Sequence, residues 1–406
     1  VTGIKTPTPA TRRVTPAVVV ALASIVGLVP FAIDMYLASL PEIGREFSAP
    51  NWATQLTLTG YLLLLGAGQL VAGPVTDAAG RRRPLLLGIG LFVIGSVTAA
   101  LAPSMAVLVL ARLLQGVGGA LATVVANSSV RDRATGESAT KLFAVLMTVT
   151  ALAPIVAPAV GGWLDGLFGW RSVFWALAGL GTAVLILVTL FLQESLPVER
   201  RSRLAIAPVL RAYGSLLTTG AFLLPVAAMV SMFMLLFAYI GGSSYVYQDD
   251  YGVGSEAFGL LFASTAIALL IGASLANRLA ARLSQQKLAL LGVSVSVAGG
   301  VLAVLVTLAH LPIGALVGTM AVMMLGLGVS EPALMSNSLS AVEENTGQAA
   351  AMLGAGQFVL GSAASTAAGA AAGFGPTAWT CLLLAAVLLA LLLSLVSSQR
   401  AAPRRA

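Results

Sequence analysis

The sequence predicts an all-α membrane protein of twelve transmembrane helices in two pseudo-symmetric six-helix bundles, and three observations carry that prediction. Hydrophobic residues make up 58% of the 406 and charged residues only 9%, where soluble domains hold about 25% charged. Twelve apolar runs come close to the roughly 20 residues that cross about 30 Å of hydrocarbon. With both ends placed inside, 19 of the 22 Lys and Arg fall on the cytoplasmic side. A missed or invented span would reverse every later loop and scatter that distribution.

The spans are drawn at 17–40, 54–76, 84–102, 105–128, 141–164, 171–192, 220–245, 256–277, 287–308, 312–336, 348–371 and 376–397. They imply a cytoplasmic tail 1–16, a bundle 17–192, a cytoplasmic linker 193–219, a second bundle 220–397 and a cytoplasmic tail 398–406. Lys5, Arg12 and Arg13 precede an apolar run too long for a signal-peptide core, which reads as a retained first helix. The basic residues are Lys5, Arg12, Arg13, Arg81, Arg82, Arg83, Arg131, Arg133, Lys141, Arg200, Arg201, Arg203, Arg211, Arg278, Arg282, Lys287, Arg400, Arg404 and Arg405; Arg45 and Arg171 fall outside and Arg112 within span 4. They sit in short loops beside apolar runs, so the pI near 10.0 reports topology and no nucleic-acid partner. Small-residue runs at Gly116–Ala120 and Gly361–Gly373 favour close helix approach. The halves echo each other: the text from Gly66 to Arg83 and Leu87-Gly88 returns in weaker form from Ile271 through Arg278, Arg282 and Lys287 to Leu291-Gly292. Such decay is expected of two parallel repeats.

One His, His310, and one Cys, Cys381, leave no disulfide within the chain and no His/Cys metal cluster, so neither metal nor cofactor is expected. An integral membrane enzyme would need a clustered nucleophile, base or metal site, which this inventory does not supply. Ionisable residues inside the bilayer are costly and point to function. The spans contain three, Asp34, Arg112 and Glu331, read as the proton-coupling set. Asp34 and Arg112 lie at comparable depth in the outer half, and an arginine there must find a counter-charge, a carbonyl or water. Glu331, before Pro332, is expected near the end of span 10. Gln55, Gln69, Gln115, Gln357 and Asn337 either cross-link helices or face a substrate. Met229, Met232, Phe233, Met234, Phe237 and Tyr239 make a soft apolar wall on span 7, suited either to lipid or to varied greasy ligands. The substrate-facing set is read as Tyr36, Gln55, Tyr61, Gln115, Met232, Phe233, Phe237 and Asn337.

Between spans 2 and 3 lies Gly73-Pro-Val-Thr-Asp77-Ala-Ala-Gly80-Arg81-Arg82-Arg83. Gly73 is expected to permit close helix approach, and Gly80 a turn with positive φ. This stretch resembles the signature loop of the major facilitator superfamily, G-x-x-x-D-x-x-G-R-R. On span 5, Ala153-Pro154-Ile-Val-Ala157-Pro158-Ala-Val-Gly161-Gly162 is similar to the antiporter signature of drug-exporting facilitators, with alanine at two positions where that pattern has glycine. Its prolines are expected to bend the helix, and the motif to pack it tightly against its partner in the other bundle. With the Asp34-Met-Tyr-Leu and Arg112–Gly119 elements, the first half resembles twelve-helix drug:proton antiporters, most of all the bicyclomycin and chloramphenicol resistance exporters.

That resemblance implies proton-coupled efflux of a hydrophobic drug, chloramphenicol-, florfenicol- or bicyclomycin-like, across the cytoplasmic membrane by alternating access. It implies a monomer whose partners are the drug, protons and the bilayer. Gly73, Asp77, Gly80, Arg81, Arg82, Arg83, Pro154, Pro158, Gly161 and Gly162 would then control the conformational change, with Asp77 and the arginines holding the outward-open state. A proton-coupled carrier for an endogenous metabolite shares the fold, but should carry more intramembrane charge than three groups.

Overall fold

The computed structural model describes residues 15–202, 206–342 and 346–401. Its helices are α1 (Pro16–Asp34), α2 (Leu40–Glu46), α3 (Asn51–Ala79), α4 (Arg82–Ala100), α5 (Met105–Arg133), α6 (Gly136–Phe168), α7 (Trp170–Phe191), α8 (Ile206–Thr218), α9 (Gly220–Tyr245), α10 (Ser255–Leu279), α11 (Gln285–Leu308), α12 (Ile313–Ser340), α13 (Thr346–Ala372) and α14 (Pro376–Ala401). Much of the expected N- and C-terminal tails, with Lys5, Arg12, Arg13, Arg404 and Arg405, lies outside the described residues, as does Arg203 of the linker.

Among the described residues, eleven segments are long and apolar enough to cross a membrane. The remaining expected span is α13, whose 27 residues give it the length. Its Gly, Ala, Ser and Thr run, with Gln348 and Gln357, makes it less apolar. It packs on both α3 and α9, where small and polar side chains meet protein as well as lipid.

Three boundaries depart from expectation. The first span, drawn at 17–40, stops at Asp34; a tight turn at Leu37–Ser39 leads into α2. Pro41 has no N–H for the Leu37 carbonyl and sits in the first turn of α2, where a helix start leaves that donor unneeded. The linker drawn at 193–219 contains α8, whose apolar residues at 206, 209, 210, 213, 216 and 217 follow helical spacing. Span 10 does not end near Pro332: α12 continues to Ser340. Elsewhere the ends follow local chemistry. Thr15 and Ser104 cap α1 and α5 by accepting from Val18 and Val107 backbone N–H groups. Gly80 turns the chain into α4 with φ +90°, and Gly169, at φ +74°, links α6 directly to α7.

Within each bundle the helices meet through glycine. Gly88 of α4 seats on Gly118 of α5, and Gly292 of α11 seats on Gly326 of α12. Gly88 and Gly292 are equivalent positions in the repeated text, so the echo in sequence is an echo in packing. Between the bundles, α3 packs on α13 and α6 on α10. Gly66 lies on Phe358 and Ala355, while Gly162 faces the Ser255 carbonyl and Gly259 the Pro158 carbonyl. The α6 helix runs unbroken from Gly136 to Phe168 through both prolines.

One part of the motif faces elsewhere than expected. Gly161 seats against the Met35 carbonyl at the break after α1, within its own bundle, because that break brings backbone up to α6. A β-carbon there would collide with main chain, which cannot swing aside, so the cost should exceed the about 1–3 kcal/mol of ordinary overpacking. Gly161→Leu is expected to reduce the yield of monodisperse protein several-fold in size-exclusion chromatography. Gly314→Leu, at a position with no neighbour within 4 Å, should leave it unchanged. Equal yields would show that the α1 break can move away from α6.

Candidate functional site

Arg112 on α5 is fully buried. Every nitrogen of its guanidinium is engaged: Nε donates to the Thr57 carbonyl at 3.3 Å, Nη1 to Gln115 Oε1 at 2.7 Å and Nη2 to the Ala32 carbonyl at 3.0 Å. Ala32 lies in the last turn of α1, where carbonyls run out of helical partners and a cation is favoured. The guanidinium lies over the rings of Tyr36 and Tyr61, at 4.3 and 4.4 Å from their centroids, with Phe174 at 6.0 Å. Stacking of this kind uses the planar face that lysine lacks. Gln115 passes the network on, donating to Ser96 Oγ at 2.7 Å. Tyr36 and Tyr61 reach Thr57 Oγ1 and the Val29 carbonyl, each at 3.4 Å.

Asp34 is the last residue of α1 and is 3% exposed. Its carboxylate forms no ion pair with Arg112 among the described residues. Each nitrogen of the arginine already donates one hydrogen bond, that of Nη2 to the carbonyl two residues before Asp34. Arg112, Gln115, Tyr36 and Tyr61 thus form one buried cluster around the end of α1.

The other sequence-chosen residues are dispersed. Gln55 on α3 crosses to the second bundle, donating to the Gly241 carbonyl and accepting from Ser365 Oγ at 3.5 Å. Met232 and Phe237 are buried core residues and Phe233 is partly buried. Phe237 fits beside Gly361 and stacks near Phe358, 5.7 Å between centroids. Asn337 lines a small recess with Pro225 and Gln286. Glu331 is partly exposed on α12, without a hydrogen bond or ion pair among the described residues.

At the end of the helices that carries Arg81–Arg83, charges interlock. Arg81 pairs with Asp77 at 2.6 Å and with Asp132 at the end of α5 at 3.1 Å. The linker supplies a clamp that sequence reasoning missed: Glu194 accepts from the backbone N–H of Arg81 at 2.9 Å and of Arg82 at 3.2 Å. Arg82 also donates to the Thr189 carbonyl, and Arg83 is exposed. Asp132 and Glu194 each follow a span that ends on this side, which was the available signal. Gly80 packs tightly under Glu194 and Arg201. Gly73 does not mediate helix approach, because an added β-carbon would meet nothing within 4 Å. It lines a cavity of about 600 Å³ bounded by α3, α5, α8 and α13.

The opposite end is closed. Ser244 Oγ donates to the Leu37 carbonyl at 2.6 Å, Gln248 Nε2 to the Ala38 carbonyl at 2.8 Å, and Arg45 pairs with Asp249 at 3.3 Å. Ser39 donates to the buried Asp165 at 2.6 Å.

Two helical bundles joined across one end, with a cavity between them at the other, form the architecture of a membrane transporter. The family model described as Major Facilitator Superfamily matches residues 22–366. The MFS-type transporter YdgK of Bacillus subtilis strain 168 is 35% identical over 355 residues, 86% of this chain and 88% of its own. A bicyclomycin resistance protein homolog of Haemophilus influenzae is 27% identical over 342 residues, 82% and 84% of the two chains. Among solved structures, a POT family transporter in complex with 5-aminolevulinic acid superposes with a TM-score of 0.77 at 12% identity, covering 94% of this chain and 96% of that one. The chain belongs to the Major Facilitator Superfamily, whose members are secondary transporters of small molecules and not enzymes.

Two expectations follow from the geometry. Arg112→Lys keeps the charge but cannot reach three acceptors in one plane, and hydrogen bonds to charged groups contribute about 1.5–3 kcal/mol each. The apparent unfolding temperature of the purified variant should fall by several degrees; an unchanged value would mean that one contact suffices. Burial would raise the Glu194 carboxyl, but the backbone N–H groups of Arg81, Leu196 and Arg82 and the charge of Arg201 outweigh it and hold it below the ordinary 4.5. A depressed folded value gives stability above the ordinary range that is lost as pH falls through it. Glu194→Gln should therefore melt earlier than wild type at pH 7, and the gap should narrow as pH falls below the ordinary 4.5 and close beneath the depressed folded value. A gap independent of pH would assign the difference to shape.

Proposed function

We infer that the protein is a proton-coupled exporter of hydrophobic drugs or antibiotics, of the chloramphenicol, florfenicol or bicyclomycin type, across the cytoplasmic membrane. The observation that carries this reading is the Arg112 cluster at the end of α1, which ties a buried guanidinium to the Ala32 carbonyl, two residues before the buried Asp34. A carboxylate with no fixed cation can accept and release a proton, while the arginine fixes the helix end that carries it. The bicyclomycin resistance protein homolog, similar over 82% of the chain, supports the substrate class.

The arginine distribution supports an orientation with the Arg81–Arg83 end in the cytoplasm. In that orientation the cavity faces inward and the Leu37–Ser244 and Ala38–Gln248 contacts close the outside. Export then runs by alternating access: drug loads from within, the bundles rock about the α3–α13 and α6–α10 seams, and a proton taken up outside resets the carrier. Asp34 is the proton carrier, Arg112 its positioning residue, and Glu331 the reserve candidate. Asp77 with Arg81, Arg82 and Arg83 forms the inner gate. In this inward-facing arrangement its charges hold only their own bundle and linker.

In inside-out vesicles, Asp34→Asn is expected to abolish proton-gradient-driven accumulation of chloramphenicol while leaving downhill exchange. Uphill transport by this variant, with protons still moving on drug addition, would shift the carrier to Glu331.

A further inference from the structure

The charges that line the inner cavity are mostly spent on one another. Asp77 and Asp132 both face it, and both are paired with the single Arg81 guanidinium, at 2.6 and 3.1 Å. Asp132 accepts a further bond from Ser195 Oγ at 2.9 Å. Arg131, the residue before Asp132 on α5, also lines the cavity and is exposed. Among the described residues, no carboxylate lies within ion-pair distance of it. Between these charges the wall presents uncharged hydrogen-bonding groups: Gln69, Thr123, Asn127, Ser128, Tyr213 and Gln348.

Two properties of this wall bear on what it accepts. A lipophilic cation is recognised by an unpaired carboxylate or by aromatic faces. Here both carboxylates contact Arg81, which offsets one of their two charges while Arg131 on the same wall offsets the other, and Tyr213 is the only aromatic residue among the described lining residues. An unpaired guanidinium, by contrast, has five N–H donors and no acceptor, and draws carboxylate, phosphate, nitro or carbonyl oxygen. The volume of about 600 Å³ suits one small molecule.

We propose that this cavity is a loading site for neutral or anionic polar small molecules, with Arg131 as the residue that reads their charge, and that it turns away lipophilic cations. The site feeds the export pathway described above and in that sense rests on it. It narrows the substrates to those whose polar groups accept hydrogen bonds, with the uncharged wall supplying orientation and Arg131 supplying the charge preference.

The test uses the full-length protein in native membranes and does not require transport. Cys381→Ser removes the one thiol in the sequence, and Ser128→Cys places a near-isosteric thiol on the cavity wall. Its labelling rates with a sulfonatoethyl and a trimethylammonioethyl methanethiosulfonate are compared with those of a free small thiol. Relative to that thiol, the ratio is expected to favour the anionic reagent by about twofold to threefold, the effect of one unpaired guanidinium in a lining whose two cations and two carboxylates otherwise balance. Adding Arg131→Gln leaves two carboxylates against Arg81 alone and should carry the ratio to the cationic side of the free thiol. Millimolar chloramphenicol succinate should slow labelling, and tetraphenylphosphonium at the same concentration should not. Where Ser128→Cys does not fold, Ala351→Cys on the opposite wall reports the same ratio. A ratio at or on the cationic side of the free thiol, a shift unmoved by Arg131→Gln, or protection by the cation alone overturns the proposal. A cavity with the expected charge preference in a protein that exports no drug would instead sink the efflux reading and leave this one standing.

Discussion

A guanidinium inside hydrocarbon cannot be left without acceptors, and the first bundle is arranged around that constraint. Arg112 needs acceptors in the plane of its fork, and they come from three helices at once: the Thr57 carbonyl of α3, the Ala32 carbonyl of α1 and the Gln115 side chain of α5. The rings of Tyr36 and Tyr61 cover its faces. The stop of α1 at Asp34 is part of the same arrangement, since a helix end leaves a carbonyl for the arginine. Burying one cation thus fixes three helices and one helix end relative to each other.

At the basic end the same kind of chemistry works in wetter surroundings. Arg81 joins the ends of α3 and α5, and Glu194 holds the turn between α3 and α4 through two backbone N–H groups. Backbone donors are indifferent to side-chain identity, so the clamp reads the shape of the turn set by Gly80. The linker is therefore a structural part of the first bundle up to Ser202, whose N–H bonds the Asp77 carbonyl. Beyond the gap in the described residues, α8 packs on α9 and α13 of the second bundle.

Much of this was legible in the sequence because the membrane makes a few signals strong. Length and apolarity located the spans, since hydrocarbon tolerates no exposed backbone. The positive φ at Gly80 followed from its place between a helix and a basic run, and Arg112 stood out as a charge where charge is costly. What escaped depends on contacts distant in the chain. Nothing near Asp34 indicated that Arg112, far along the chain, would take the Ala32 carbonyl and leave the carboxylate without it. Gly73 gave no sign that it would face a cavity and not a helix, for glycine serves either setting. Gly161 was read toward the other bundle because the break after α1, which brings Met35 up to it, had been drawn as continuous helix. The α8 helix was hidden by its setting in a charged linker, although its apolar spacing was there to be counted. The substrate-facing set scattered because a polar residue in a span has two uses, tying helices together or meeting a ligand, and sequence does not separate them.

The closure at the far end has an evolutionary corollary. Apart from the Arg45–Asp249 pair, its acceptors are main-chain carbonyls, those of Leu37, Ala38 and Gly241, while its donors are the side chains of Ser244, Gln248 and Gln55. A carbonyl survives any substitution of its own residue that preserves the local backbone, so the acceptor strand is free to drift in side-chain identity. The donors have no such freedom. Selection on how readily this end opens would therefore leave its mark almost entirely on one partner of each contact, and related carriers could retune the opening by single donor changes without disturbing the opposing segment.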